Sequence, residues 1–205
     1  MSPIPLNLAV EDQLSETILR TLLDFVDRDY HVGTCYGRTG FGYLRKTVRG
    51  FNQAAKGTPF LLLTDLDDHD CPPELIGEWL NVPPHHNLIF RVAVREVEAW
   101  LLADPTHLAE FLHISKALMP DDCDSVEDPK RDLVELARRS RSRDIRDRIV
   151  PKAGSTAQQG PDYNSCLSTF VTNHWDVDRA CEASTSLRRT VERLRSFNPV
   201  WEENF

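Results

Sequence analysis

The sequence has no Cys-x-x-Cys pair, and its five cysteines (Cys35, Cys71, Cys123, Cys166 and Cys181) are odd in number and scattered. This argues against a zinc ribbon and against a disulfide framework. No apolar run approaches the ~20 residues that span a bilayer, so no membrane segment is expected. The opening Met-Ser-Pro-Ile-Pro-Leu-Asn-Leu sets no basic stretch before an apolar one and does not read as a secretory signal. Cytoplasm is the expected location. Positive charge is also in deficit. A net charge of −8 and a pI near 5.4 disfavour a protein that coats nucleic acid by bulk electrostatics. They do not exclude an enzyme that acts on phosphodiesters.

What is present is a globular composition, 40% hydrophobic and 27% charged over 205 residues, enough for one large domain or a domain with an appendage. The first half alternates. Ile4 to Val10 predicts a strand, Ser15 to Phe25 a helix capped by Ser15, and His31 to Tyr36 a weak strand. Tyr43 to Ala55 predicts a helix, Pro59 to Thr64 a buried strand, and Glu74 to Leu80 a short helix. Asn87 to Val94 predicts a strand and Glu96 to Phe111 a helix. Such a βαβα order with short connections implies a parallel sheet flanked by helices. After Pro120 an acidic, turn-rich run to Pro129 reads as a boundary or surface loop. Lys130 to Ser140, Tyr163 to Val171 and Arg179 to Phe197 are then helix-like. The expected organisation is an α/β core over residues 1–118 and a helical C-terminal extension over 119–205.

Chemistry concentrates after the third strand. Apolar Phe60 to Leu63 are followed by Asp65, Asp67, Asp68 and Asp70, and in an open α/β sheet ligands bind beyond the carboxyl ends of strands. Clustered carboxylates are costly unless a cation neutralises them, and hard divalent ions choose oxygen ligands. In continued strand geometry Asp65 and Asp67 share a face, which makes them the natural metal pair. Glu11 stands in the same context after the alternating Leu6, Leu8 and Val10.

Other clusters are weaker. His69, Cys71, His85 and His86 fit no zinc spacing, and the paired histidines lie in a Pro-rich loop. Gly37-Arg-Thr-Gly-Phe-Gly42 lacks the Gly-Lys-Ser/Thr ending of a P-loop and reads as a turn. From Arg138 to Lys152, Arg138, Arg139, Arg141, Arg143, Arg146, Arg148 and Lys152 face only Asp144 and Asp147. A solvated helix face is the commoner reading of such a run; a phosphate-contacting strip is the functional one.

A first-strand glutamate, a later Asp-x-Asp and a compact α/β sheet resemble the Toprim domain of topoisomerases, DnaG-type primases and OLD-type nucleases. Leu8-Ala-Val-Glu-Asp12, Leu63-Thr-Asp-Leu-Asp67 and Arg95-Glu-Val-Glu-Ala-Trp-Leu-Leu-Ala-Asp104 resemble, more closely, a bacterial Toprim-like family whose members are encoded beside ATPases of the SMC or OLD type. Weaker echoes lie in Asp128-Pro-Lys130 and Gln159-Gly-Pro-Asp-Tyr163. The resemblance implies a Toprim-like (Rossmann-like) fold, Mg²⁺ or Mn²⁺ as cofactor, DNA or RNA as substrate, and an ATPase partner in anti-phage defence. It makes Glu11 a general acid/base or metal ligand and Asp65 and Asp67 metal ligands. Glu98, favoured over Glu96, completes a second metal position. It offers Lys152 as the lysine that reaches the scissile phosphate; the basic strip read above supplies Arg138, Arg139 and Arg141 as the expected substrate contacts. The glycine turn that follows the Asp pair in many Toprim domains is absent, and no topoisomerase-type tyrosine is evident.

Competing enzyme classes fare worse. Haloacid dehalogenase-type phosphatases carry Asp-x-Asp on the first strand, and glycosyltransferases give Glu11 no role. A non-catalytic regulatory or toxin-like subunit that binds an ATPase complex is the main alternative.

Overall fold

Residues 3–37 and 40–201 are described by a computed structural model. Arg38 and Thr39 of the glycine-rich segment lie outside them. The chain forms two compact units, one running from the N-terminus to Ala93 and joined by the segment from Arg189, the other spanning Val94–Arg188. This division differs from the expected boundary at residue 118.

The first unit carries a four-stranded parallel sheet in the order β2-β1-β3-β4. The strands are β1 (Ile4–Val10), β2 (Tyr30–Gly37), β3 (Phe60–Asp65) and β4 (Leu88–Ala93). All six residues of β3 are buried, as expected of an inner parallel strand covered on both faces. Edge strand β2 leaves exposed residues along its length.

Helices α1 (Gln13–Phe25), α2 (Phe41–Ala54) and α3 (Pro72–Leu80) link these strands. On one face Phe60 stacks on Phe51 of α2, with centroids 5.2 Å apart, and Phe90 meets Trp79 of α3 at 5.8 Å. The opposite face is covered by α1 and by the C-terminal part of α10 (Thr185–Ser196), where Arg195 lies over Phe25. The N-cap of α1 is Asp12 rather than Ser15. Its Oδ1 accepts from the Ser15 amide at 2.8 Å and from the Ser15 hydroxyl at 2.9 Å, so the carboxylate takes the donors that Ser15 offers.

The second unit is helical throughout its described elements, as the sequence predicts for the region beyond the last strand. It comprises α4 (Val97–Leu102), α5 (Pro105–Phe111), α6 (Pro129–Arg138), α7 (Arg143–Ile149), α8 (Tyr163–Asn173), α9 (Val177–Ala183) and the start of α10, with 3-10 turns at Lys116–Leu118 and Cys123–Ser125. Two predicted helices are broken in two. The first divides at Asp104, because Pro105 has no amide hydrogen and suits a first helical position. The second divides at Ser184, whose hydroxyl accepts from the Leu187 amide. Among the described residues no helix is long and apolar enough to cross a membrane.

Asp104 does more than interrupt a helix. It is fully buried and accepts from the His107 amide (3.3 Å), the His107 ring (2.8 Å) and the Asp176 amide (2.9 Å). It thus caps α5 and ties the entry of α9 to it. Asp104→Ala is expected to destabilise the protein by about 2–4 kcal/mol, from a lost cap and an orphaned buried donor. A denaturant titration measures this, and an unshifted midpoint would refute it.

Candidate metal and acid–base site

In the first unit, Glu11 leaves β1 at its carboxyl end. Gly37, at φ 101°, closes the neighbouring strand where a Cβ would sit 2.0 Å from the Val10 carbonyl oxygen. The Gly40 amide, beginning α2, donates to the Glu11 carbonyl at 2.9 Å. The glycine-rich segment therefore packs the strand end beside Glu11. The Glu11 carboxylate, in turn, accepts a short hydrogen bond from the Thr64 hydroxyl and another from the Asp65 amide at 3.0 Å.

Burial pushes the Glu11 carboxyl above its ordinary value of 4.5, opposed by the Thr64 and Asp65 hydrogen bonds and assisted by the charges of Asp67 and Asp12. A half-desolvated carboxylate among like charges suits either proton transfer or a cation. Asp65, Asp67 and Glu11 are therefore gathered at one end of the sheet, but not by the strand alternation expected. β3 ends at Asp65, and Asp67 takes a left-handed conformation with φ 48°. An aspartate tolerates that region better than most residues. Asp67 itself makes the turn that leaves the strand. Asp65 is buried, whereas Asp67, Asp68 and Asp70 are exposed.

His69, on the same loop, places Nδ1 3.1 Å from the Leu66 carbonyl and Nε2 3.3 Å from Glu78 of α3. These contacts tie the acidic loop to α3, and among the described residues no zinc set gathers around His69.

In the second unit, Glu96 stands at the N-cap position of α4 and Glu98 lies in its first turn. Their carboxylate oxygens approach within 4.8 Å of each other. Glu98 is 1% exposed; its Oε1 accepts from the Tyr163 hydroxyl at 2.9 Å and lies 3.8 Å from Lys130 Nζ. Glu96 accepts from the Lys130 amide at 2.8 Å and from Nζ at 3.4 Å.

Lys130 and Tyr163 have no role in the expectation drawn from the sequence, although both close its weaker motifs. Asp128 caps α6 through the Arg131 amide and Pro129 opens the helix, which delivers Lys130. Gly160 lies against the end of α7, where a Cβ would sit 2.3 Å from the Arg148 carbonyl oxygen, and its amide donates to Ile149. That close approach starts α8 with Tyr163. The signal lies in the motifs; only their convergence on Glu96 and Glu98 is hidden.

Lys152 has a different setting, exposed in the loop after α7. Much of the basic strip is neutralised locally: Arg138 pairs with Glu135, Arg143 with Asp147 and Arg148 with Asp144. Arg139 and Arg141 are exposed. For most of this run the solvated helix face is the better description.

No family model matches this sequence, and no curated protein matches it. Among solved structures, the chain is similar to the C-terminal region of the Burkholderia pseudomallei OLD protein. The two are 13% identical with a TM-score of 0.48, over 93% of this chain and 96% of that one. At that level of similarity the functional reading rests on the residues described above.

Proposed function

We propose that this protein is a metal-dependent nuclease of the Toprim type, hydrolysing phosphodiester bonds in DNA or RNA as an anti-phage effector beside an ATPase of the SMC or OLD type. The observation that carries the proposal is the half-buried Glu11 carboxylate, held by Thr64 and by the Asp65 amide next to the charge of Asp67. Glu11, Asp65 and Asp67 are the ligands we assign to Mg²⁺ or Mn²⁺ in the first unit, and Glu98 is the carboxylate we assign to a second metal position. All are hard oxygen donors, and the like-charge strain around Glu11 supports a cation there. A bound divalent ion supplies Lewis-acid polarisation of phosphate and water. Glu11 exchanges a proton with the attacking water or the leaving oxygen, and its two hydrogen bonds fix which oxygen does so.

Cleavage of plasmid DNA and bulk tRNA with Mg²⁺ or Mn²⁺, comparing wild type with Asp65→Ala and Glu11→Ala, tests this directly. Metal-dependent cleavage lost in both variants is the expected result. A folded protein that neither cleaves nor binds metal would overturn the catalytic reading and leave the binding subunit.

We assign the cationic role to Lys130 in preference to Lys152, because Lys130 already faces Glu96 and Glu98. A charge that stabilises the phosphorane-like transition state is worth on the order of 10²-fold or more in kcat. Lys130→Ala is expected to lose that much and Lys152→Ala less than about threefold; the reverse order in single-turnover assays would restore Lys152.

A further inference from the structure

We infer that a second anion site, built from Arg91, Arg189 and Arg193 in the first unit, grips the phosphodiester backbone of a nucleic acid. It leans on the nuclease reading for the identity of the polymer and not for the site itself.

Strand parity sets the direction of Arg91. Phe90 points to the face covered by α3, where it meets Trp79, so Arg91 points to the opposite face. There its Nε donates to Thr190 Oγ1 of α10 at 3.1 Å. Arg189 and Arg193 stand four residues apart on that helix, a spacing that puts two like charges side by side and weakens the helix. Burial, and then the charges of Arg193 and Arg189, push the Arg91 guanidinium below its ordinary range.

The partners of these cations are neutral. Arg193 donates to the His86 carbonyl at 3.4 Å and its guanidinium sits 5.3 Å over the Phe197 ring. Among the described residues no carboxylate pairs with Arg91, Arg189 or Arg193, in contrast to Arg138, Arg143 and Arg148. Arg28 extends the basic surface. It donates to the carbonyls of Arg195 and Phe197, and both its charge and that of Arg193 act on the Tyr30 hydroxyl.

Three guanidinium groups gathered with no paired carboxylate among the described residues, in a chain of net charge −8, cost free energy unless an anion joins them. The planar guanidinium fork matches phosphate oxygens. A protein partner would require an apolar centre, yet the exposed positions of α10 from Arg189 onward are Arg189, Glu192, Arg195 and Ser196.

The test uses the full chain and a labelled oligonucleotide, with chelator present so that cleavage is silent, titrated at several salt concentrations. Each phosphate contact contributes about 0.9 to the slope of log K against log salt on duplex and about 0.7 on single strands. Arg189→Gln/Arg193→Gln is expected to lower that slope by about 1.4–1.8 and to weaken binding at least tenfold, with an unchanged circular dichroism spectrum.

Wild type that does not bind, or a double variant that keeps the full slope, would overturn the site. Equal affinity for polyglutamate would reassign it to an acidic protein, and displacement by pyrophosphate at equal concentration to a free phosphate ligand; either overturns the polymer assignment. Binding through the arginines by a protein that neither cleaves in Mg²⁺ nor binds the metal would support this site while ending the nuclease reading. Cleavage that persists with an unaltered slope in the double variant would do the opposite.

Discussion

Glu11→Gln is expected to lower metal-dependent cleavage by about 10²–10⁴-fold, the usual contribution of a general acid or base, without loss of the fold. The amide is close to isosteric, and its oxygen still accepts from the Thr64 hydroxyl and the Asp65 amide. What disappears is the transferable proton and the negative charge. Stability should respond with the opposite sign. Burial raises the folded pKa of Glu11 above its ordinary 4.5, so the folded state holds its proton more tightly than the unfolded one. Without metal, wild type therefore loses stability as pH rises from the unfolded value through the raised folded value, and then levels off. Glu11→Gln lacks that loss and should melt higher at neutral pH in chelator. Saturating Mg²⁺ reverses the order, because a ligand present at a hundredfold its Kd adds about 2.7 kcal/mol to wild type alone. Melting curves in chelator and in Mg²⁺ check both halves. Equal gains from Mg²⁺ in the two proteins would remove Glu11 from the site.

The acidic strand ends are legible in the sequence because their signals are local. Short apolar runs announce the strands that deliver Glu11 and Asp65, and β1, β3 and β4 fall within a residue of their predicted limits. The sequence misleads where a local signal has two readings. Ser15 and Asp12 both suit a helix cap, and the carboxylate, three residues ahead, is the acceptor. Strand parity carried past Asp65 fails, because the positive φ of Asp67 ends it. The buried face of α7, Ile145 and Ile149, is hidden because a run of arginines and aspartates surrounds it. Convergence is beyond reach for a different reason. Lys130 and Tyr163 are 34 and 65 residues away from the glutamates they meet, and no periodicity encodes such a distance. The same holds for Arg91 and α10, whose meeting depends on which face of the sheet each occupies.

Under the proposed function Glu98 would join stability to chemistry in the second unit, and its substitution is expected to show both at once. Glu98→Ala removes a carboxylate that is 1% exposed and leaves the Tyr163 hydroxyl buried without the acceptor it had at 2.9 Å. Breaking one side of a buried, charged contact typically costs about 3–5 kcal/mol, and a loss of that size is expected in denaturant titrations. Lys130 is less affected, because Glu96 still accepts from its amide and ammonium. The pair Glu98→Leu with Tyr163→Phe separates the two consequences. Replacing both partners by apolar groups of similar size removes the unmet hydrogen bond, so the double variant should recover much of the stability that Glu98→Leu alone loses. Cleavage should not recover, since neither leucine nor phenylalanine offers an oxygen to a cation. If the double variant regains both stability and cleavage, Glu98 is a packing residue and the metal set ends at Glu11, Asp65 and Asp67. If Glu98→Leu alone costs less than about 1 kcal/mol, the Tyr163–Glu98 contact does not hold the helices as the geometry implies. Stability restored with cleavage still absent is the outcome that assigns Glu98 a chemical duty, and it does so without relying on the fold of any other protein.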